Sequence, residues 1–483
     1  AFVRVAVVGA GVGGLVASIR LAAAGHDVVV FERNPIVGGK LATLEEDGFT
    51  FDLGPSLLTL PHLFDEVFRS VGTTLADEVD LVRLDPQFRY TWTNGSTLDI
   101  PDDPAETPVR LDAFSPNSGA EWRRFIDHAR EIWEISERTF LAGPMGSPLS
   151  LLGRMRSPLD LPRIDGNRTL AKSAAAHFED PRMRQLVGRY ATYSGSSPFK
   201  APATLACIPH VEQAYGCWYV MGGLGRLREA LERVAIGAGV DIRVRSDVGR
   251  IRTSGGSVAG VDLADGGSED ADIVIANVDA AHLFVDLLPM PKAASRLDKA
   301  GKSTSGFVVC AAVRGRTEGI AHHNVFFPLH DEQEFRLLES GQMAIDPTVY
   351  ACVSSVTDPS QAPRDCENWF LLVNTPPEIG IDRKLMTAAV LNRWAERGID
   401  LRHRIDFTRT LVPADFEARY RAVGGAIYGT SSNGKRAAFA RPNNVGPVDG
   451  LYLVGGSSHP GGGLPMVTIS ARIVADLIHD RHS

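Results

Sequence analysis

Phe2-Val3-Arg4-Val5-Ala6-Val7-Val8 runs straight into Gly9-Ala10-Gly11-Val12-Gly13-Gly14, followed by an amphipathic run from Leu15 to Ala24, Gly25, a second apolar run from His26 to Phe31, and then Glu32. The order is strand, G-x-G-x-x-G, helix, strand, acid, with Glu32 lying 23 residues after Gly9. Each part has a physical task. Gly9 permits a tight turn, Gly11 lets the backbone approach a pyrophosphate, Gly14 lets the helix pack closely, and Gly13 belongs to the same turn. The helix N-terminus faces phosphate charge, and Glu32 accepts hydrogen bonds from ribose hydroxyls. Glycine-rich turns are common alone; the flanking strands, helix and acid make this one a dinucleotide site. That stretch leaves NAD and FAD both open. Arg33-Asn34-Pro35-Ile36-Val37-Gly38-Gly39-Lys40 favours FAD, since a Gly-Gly-basic turn brings further N–H groups and a cation to the pyrophosphate. Phe51-Asp52-Leu53-Gly54-Pro55-Ser56 adds a rigid turn.

A second glycine-rich stretch lies over 400 residues away. Gly450-Leu451-Tyr452-Leu453-Val454-Gly455-Gly456 is a short apolar strand, then Ser457-Ser458-His459-Pro460-Gly461-Gly462-Gly463-Leu464-Pro465 leads into a helix from about Met466 to Ile478. Strand, glycine loop and helix N-terminus again make an anion-friendly site; if the loop meets the pyrimidine side of a flavin, the helix dipole favours the anionic reduced form. One flavin spanning both stretches would join the two ends of the chain.

Composition bounds the rest. At roughly 150 residues per domain, 483 residues imply two or three domains. Glycine is in excess, 48 residues without periodicity, and it falls in short clusters where backbone packs close to something other than side chains. A formal charge of −8 argues against nucleic-acid binding. Five scattered cysteines, with no C-x-x-C, fit a reducing compartment and no disulfide scaffold. There is no 18-residue apolar run and no visible leader, so the expectation is a cytoplasmic chain able to sit on a membrane surface.

With these motifs in hand, the chain resembles the flavin-dependent carotenoid desaturases of the bacterial phytoene desaturase type, nearly end to end. The resemblance rests on the glycine turn, Phe51 to Pro55, His459 to Pro465, and three middle segments. These are Arg189-Tyr190-Ala191-Thr192-Tyr193-Ser194-Gly195-Ser196-Ser197-Pro198, Ala321-His322-His323-Asn324-Val325-Phe326-Phe327-Pro328 and Thr357-Asp358-Pro359-Ser360-Gln361-Ala362-Pro363. They look most like the branch acting on already lengthened acyclic carotenoids, the hydroxyneurosporene or 3,4-desaturase group. The resemblance implies an α/β fold: a discontinuous Rossmann-like FAD-binding domain, an α+β substrate domain and a helical membrane-facing lid. The implied division is 1–85, 215–290 and 441–483 for FAD, and 86–214 with 291–440 for substrate, the lid covering about 120–205. The strands legible in the middle FAD piece are Asp241 to Val244, Val248 to Ile251, Val258 to Leu263 and Ala271 to Ala276. Val248 is implied to meet the adenine through its backbone.

The implied cofactor set is Gly9, Gly11, Gly13, Gly14, Glu32, Arg33, Gly38, Gly39, Lys40, Gly54, Pro55, Ser56, Val248, Gly455, Gly456, Gly463, Leu464, Pro465 and Met466. The implied reaction places a new C=C bond in a long apolar polyene, hydride leaving one carbon for flavin N5 and a proton leaving its neighbour, with quinone or oxygen as final acceptor. A carotenoid isomerase or ketolase/oxygenase would keep the same flavin motifs. A flavin-free prenyl carrier of the Rab-escort type would share the architecture, and an amine oxidase is the third rival. Flavin amine oxidases carry Gly-Glu where this chain has Gly455-Gly456-Ser457.

No catalytic pair is carried over. In the segment Leu151 to Arg156, where the family's acid–base residues have been placed, Gly153 stands at the acid's position and leaves only Arg156. His459, inside the flavin loop, reads as a loop-stabilising residue ahead of a proton carrier. Gly429 to Lys435 matches G-x-x-x-x-G-K, but Arg436 stands where a P-loop needs Ser or Thr. Adjacent His322 and His323 are expected on opposite faces of a strand, with no acid or cysteine spacing to complete a metal site. Gly143 to Arg168 mixes leucines (149, 151, 152, 159, 161) and Met155 with Arg154, Arg156, Arg163 and Arg168, an apolar–basic composition suited to an anionic bilayer surface. Its other reading is a packed lid helix with solvated arginines.

Overall fold

The computed structural model describes residues 2–146, 151, 153–434 and 437–482. Two sheets organise it. The first has five parallel strands in the order Leu451–Leu453, Ile273–Ala276, Arg4–Val8, Asp27–Phe31, Asp241–Arg243. Val5, Ala6 and Val7 have no exposed surface, as a central strand covered on both faces requires. One face is covered by the helices Val12–Ala23, Gly225–Gly237 and Leu464–His482, which bring Leu15, Ile19, Leu227, Leu231, Val474 and Ile478 onto Val5 and Val7. The opposite face carries the antiparallel strands Val248–Ser254, Ser257–Leu263 and Ser268–Asp270, packing Val248, Ile251 and Val261 against Ala6, Val8 and Phe31. Three distant parts of the chain therefore build one sheet.

The second sheet is mixed and has seven strands, ordered Ile405–Leu411, Ser305–Arg314, Cys366–Thr375, Val349–Cys352, His323–Phe326, Phe88–Thr91, Thr97–Ile100. The helix Arg383–Glu396 covers one face, setting Trp394 against Trp369 and Phe326. Val308, Cys310 and Phe370 form the other face with Phe49, Phe51 and Leu53. Beyond Phe88–Ile100, the helices Ser118–Thr139, Leu170–His177 and Pro181–Gly188 bury Trp122, Phe125, Phe178 and Leu186 in a helical subdomain.

The buried Asp52 joins the sheets. Its Oδ2 accepts from the Leu224 amide at 2.9 Å, at the start of the helix Gly225–Gly237. Burial pushes its carboxyl up to about 6, against the pull of the Leu224 and Gly225 amides and Arg228.

Leu149 and Leu152 of the apolar–basic stretch, and Lys435 and Arg436 of the P-loop-like match, lie outside the described residues. Within that stretch Leu151 is buried and Leu159 and Leu161 are more than half exposed. Arg154 donates to the Thr139 and Pro144 carbonyls, while Arg163 and Arg168 pair with Glu131 and Asp165. Among the described residues no helix is long and apolar enough to cross a membrane.

Candidate active site

A cavity of about 490 Å³ opens beyond the C-terminal ends of the parallel strands, where the second sheet faces the first. In open parallel sheets this end is where ligands bind, because the loops leaving the strands diverge there. Val8 and Gly9, Phe31 and Glu32, Asn277 to Asp279, and Val454 to Ser457 all line it immediately after their strands. Of the expected cofactor residues, Gly9, Gly11, Gly13, Glu32, Arg33, Gly38, Gly39, Lys40, Gly54, Pro55, Ser56, Val248, Gly455, Gly456, Gly463, Leu464 and Pro465 line the cavity. Gly14 and Met466 do not. A Cβ on Gly14 would lie 2.2 Å from the Gly9 carbonyl, so this glycine serves helix packing beneath the turn. Met466 packs instead beside Leu60, Leu63 and Trp133, because each helical step turns the side chain by about 100° away from Leu464 and Pro465.

Asn277, which sequence spacing did not single out, ties the glycine stretches together. A Cβ on Gly9, whose φ is +97°, would meet the Asn277 carbonyl at 2.5 Å. Cβ atoms on Gly11 and Gly455 would meet its amide side chain at 2.8 and 2.7 Å. The Asn277 amide donates to the Val8 carbonyl and its Nδ2 to the Val454 carbonyl, while its buried Oδ1 has no partner among the described residues. Gly38 adds a bridge to Gly11, donating its N–H to the Ala10 carbonyl at 2.7 Å.

At the far side of this cradle the Glu32 carboxylate accepts from the Ala10 amide at 2.9 Å and from the Asn34 amide and side chain at 2.8 Å. An ionised carboxylate offers about four acceptor sites, so one remains for a ribose hydroxyl. Lys40 donates to the Ile427 carbonyl at 2.6 Å, and burial lowers its pKa against the opposing pull of Asp279. A backbone-walled cradle of this shape, with a ribose acid at one end and a buried cation beside it, fits FAD. Gly9, Gly11 and Gly13 would hold its pyrophosphate and Glu32 its ribose.

The C-terminal loop is held by buried side chains. Arg441 donates to the Tyr428, Gly456 and Thr430 carbonyls at 3.0, 2.6 and 2.9 Å, and burial pushes its pKa down to about 10. His459 donates through Nε2 to the Phe140 carbonyl at 2.8 Å, and its own carbonyl accepts from Asn444 and Ser470. Burial lowers its pKa. It anchors the loop to the helical subdomain and does not line the cavity. Arg156 is exposed, its amide bonded to Asp160, and it does not line the cavity either. Neither candidate proton carrier reaches the site.

The remaining wall is built from side chains with no legible spacing. Val308, Phe370, Leu372 and Phe88 come from the second sheet, and Tyr193, Ile208 and Val211 from the helical side. Two buried charges sit among them. The Arg189 guanidinium lies 4.6 Å from the centre of the Phe88 ring and 5.1 Å from that of Tyr193. Glu212 accepts from Tyr193 at 2.6 Å and from Tyr190 at 2.8 Å, and burial raises its pKa against the pull of Arg189 and both phenols.

Behind Ser56 and Tyr350, which line the cavity and share a 2.6 Å hydrogen bond, stand His322 and His323. They do not point apart. His322 precedes the strand that begins at His323, so strand alternation does not apply, and their rings are 4.6 Å apart. Cys352 is the cross-strand partner of His323, which brings three ligand-type atoms within 4.8 Å. Register across a sheet places this cysteine, so no sequence spacing discloses it. Burial holds His322 down to about 3, His323 well below its ordinary value and the Cys352 thiol up. The Nδ1 atoms are engaged by Thr357 and Tyr350. The group packs as neutral, hydrogen-bonded side chains behind the wall.

Comparison with known proteins agrees with this geometry. Residues 12–479 match the family model described as flavin containing amine oxidoreductase. The chain is 37% identical to a 4,4'-diapolycopene oxygenase of Methylomonas sp. and 34% identical to a 1-hydroxycarotenoid 3,4-desaturase of Flavobacterium sp. (strain P99-3), covering 98% of each chain in both cases. Among solved structures, cyclohexylamine oxidase from Brevibacterium oxydans IH-35A shares the fold at a TM-score of 0.62 and 16% identity, over the full length of both chains. The chain belongs to the flavin containing amine oxidoreductase family, and its cofactor is FAD.

Proposed function

We propose that this protein is an FAD-dependent oxidoreductase that introduces C=C bonds into an acyclic carotenoid. The observation that carries the reading is the contrast within one cavity: backbone glycines on the cofactor side, and Val308, Phe370, Leu372, Ile208 and Val211 on the other. The names of the 37% and 34% identical relatives supply the substrate class. Desaturation removes two hydrogens from adjacent carbons, and bound FAD supplies the two-electron acceptor. The chain's own part is placement. The apolar wall holds a polyene against the cofactor side and keeps water out. Conjugation spreads the charge that develops on a polyene carbon, so orientation matters more than an acid–base pair, in keeping with Arg156 and His459 lying outside the cavity.

The exposed Leu159 and Leu161 support docking on a membrane, from which such a hydrocarbon is collected and where quinone is the electron acceptor alternative to oxygen. A second reading, oxygen insertion into the same polyene, is favoured by the name of the 37% identical relative. The test incubates FAD-loaded protein with acyclic carotenoids in liposomes, under quinone and under oxygen, and reads product mass. Loss of two hydrogens is the expected outcome, and added oxygen selects the second reading. An unchanged panel under both acceptors overturns both.

A further inference from the structure

Arg189 has an unusual set of partners for a buried cation. It is 9% exposed, yet among the described residues no carboxylate lies within ion-pair distance of it. Its Nη1 donates to the Tyr90 hydroxyl at 3.0 Å and its Nη2 to the Tyr193 hydroxyl at 3.3 Å, both neutral acceptors. The aromatic faces of Phe88, Tyr90, Tyr190 and Tyr193 surround it at 4.6 to 5.8 Å. Glu212 acts on it through space, while the hydrogen bonds to the Glu212 oxygens come from the Tyr190 and Tyr193 phenols. A guanidinium carries five N–H donors in a fixed fork, and these two bonds use two of them. Burying the others beside a pure hydrocarbon is unfavourable, since a hydrocarbon offers no acceptor. Arg189, Tyr193 and Glu212 all line the cavity that takes the substrate in the reading above.

Resting on that reading, we propose that Arg189 is a specificity-determining residue that donates to an oxygen function on the substrate, so that the preferred polyene bears a hydroxyl or carbonyl group. Glu212 and the two tyrosines are positioning residues. The Glu212 carboxylate fixes Tyr193, and Tyr193 with Tyr90 holds the guanidinium fork at the wall. A donor of this kind rejects an analogue lacking the oxygen more strongly than an apolar pocket rejects an extra hydroxyl, because the analogue leaves the donors unpaired.

The experiment measures binding of matched acyclic polyenes, one hydrocarbon, one with a terminal hydroxyl and one with a terminal aldehyde, presented in neutral liposomes to the FAD-loaded protein. Co-sedimentation and perturbation of the flavin absorbance give affinities without turnover. The expected result is at least tenfold tighter binding of the oxygenated polyenes. Arg189→Gln and Arg189→Met should retain flavin at wild-type stoichiometry and lose that preference, with Arg189→Lys restoring part of it. Equal binding of all three polyenes by the wild type overturns the assignment and leaves the polyene reading standing. Loss of flavin from both Arg189→Gln and Arg189→Met, with a folded far-ultraviolet circular dichroism spectrum, assigns the residue to the cofactor and also overturns it. Binding of none of the polyenes overturns the polyene reading itself, and this assignment with it.

Discussion

The two sides of the cavity recognise by different means. The cofactor side is a wall of main chain, where Gly9, Gly11, Gly13, Gly38 and Gly455 leave no room for a Cβ. The opposite side is a wall of side chains from two sheets and a helical subdomain, in which Arg189 and Glu212 are the buried charges. A main-chain wall admits almost no variation, since its shape depends on one residue type. A side-chain wall can be reshaped one group at a time while the cofactor stays in place. One fold can thereby keep a flavin and change what the flavin meets.

The largest effect should come from a methyl group on the cofactor side. In Gly9→Ala the new Cβ would sit 2.5 Å from the Asn277 carbonyl at a φ of +97°, and both strand ends would have to shift. The purified variant should carry no flavin, read as the ratio of absorbance at 450 nm to that at 280 nm. A fully loaded variant would break the distinction between the walls.

Asp52, between the two sheets, gives an intermediate effect. Its folded pKa of about 6 lies above its ordinary 3.8, so the folded protein binds the proton more tightly than the unfolded chain. The associated stability is fully present below pH 3.8 and is lost as pH rises through 6, a change of about 3 kcal/mol. Unfolding free energies of wild type and Asp52→Asn should therefore diverge between pH 4 and pH 7 by about that amount, the wild type declining relative to the variant. Parallel profiles would show that the carboxyl is not held neutral by burial.

The smallest effect is expected from Phe370→Leu on the side-chain wall. As a partial large-to-small change it should cost about 1–2 kcal/mol in chemical denaturation and leave flavin content unchanged. Turnover of polyenes should change a few-fold. Loss of flavin here would mean that the walls are not separable.

The same contrast explains what was legible in the sequence. A backbone wall needs glycine at fixed spacing, so Gly9 to Gly14, Glu32, Gly38-Gly39 and Gly455 to Gly463 were readable, as were the strands that carry them. Asn277 was not, because a lone asparagine after a strand has no spacing to betray it, although two glycine stretches close on it. Arg189 and Glu212 were invisible as a site because their proximity depends on how Arg189–Ser194 and Cys207–Tyr215 pack in the fold. Met466, which the resemblance implies for the cofactor set, faces Leu60, Leu63 and Trp133, because neighbours on a helix face different ways. His322 and His323 were assigned opposite directions by a rule that holds inside a strand and not at its first residue.

The order of strands in the parallel sheet also bears on how the protein is made. Arg4–Val8 pairs with Ile273–Ala276, and that strand in turn pairs with Leu451–Leu453. The glycine turn therefore precedes, by hundreds of residues, the strands that complete its sheet. Until Ile273–Ala276 has been made, Arg4–Val8 has an open hydrogen-bonding edge, and such edges invite pairing with other chains. The cradle is complete only when all three strands have paired, so a bound flavin stabilises the assembled sheet over any partly paired form.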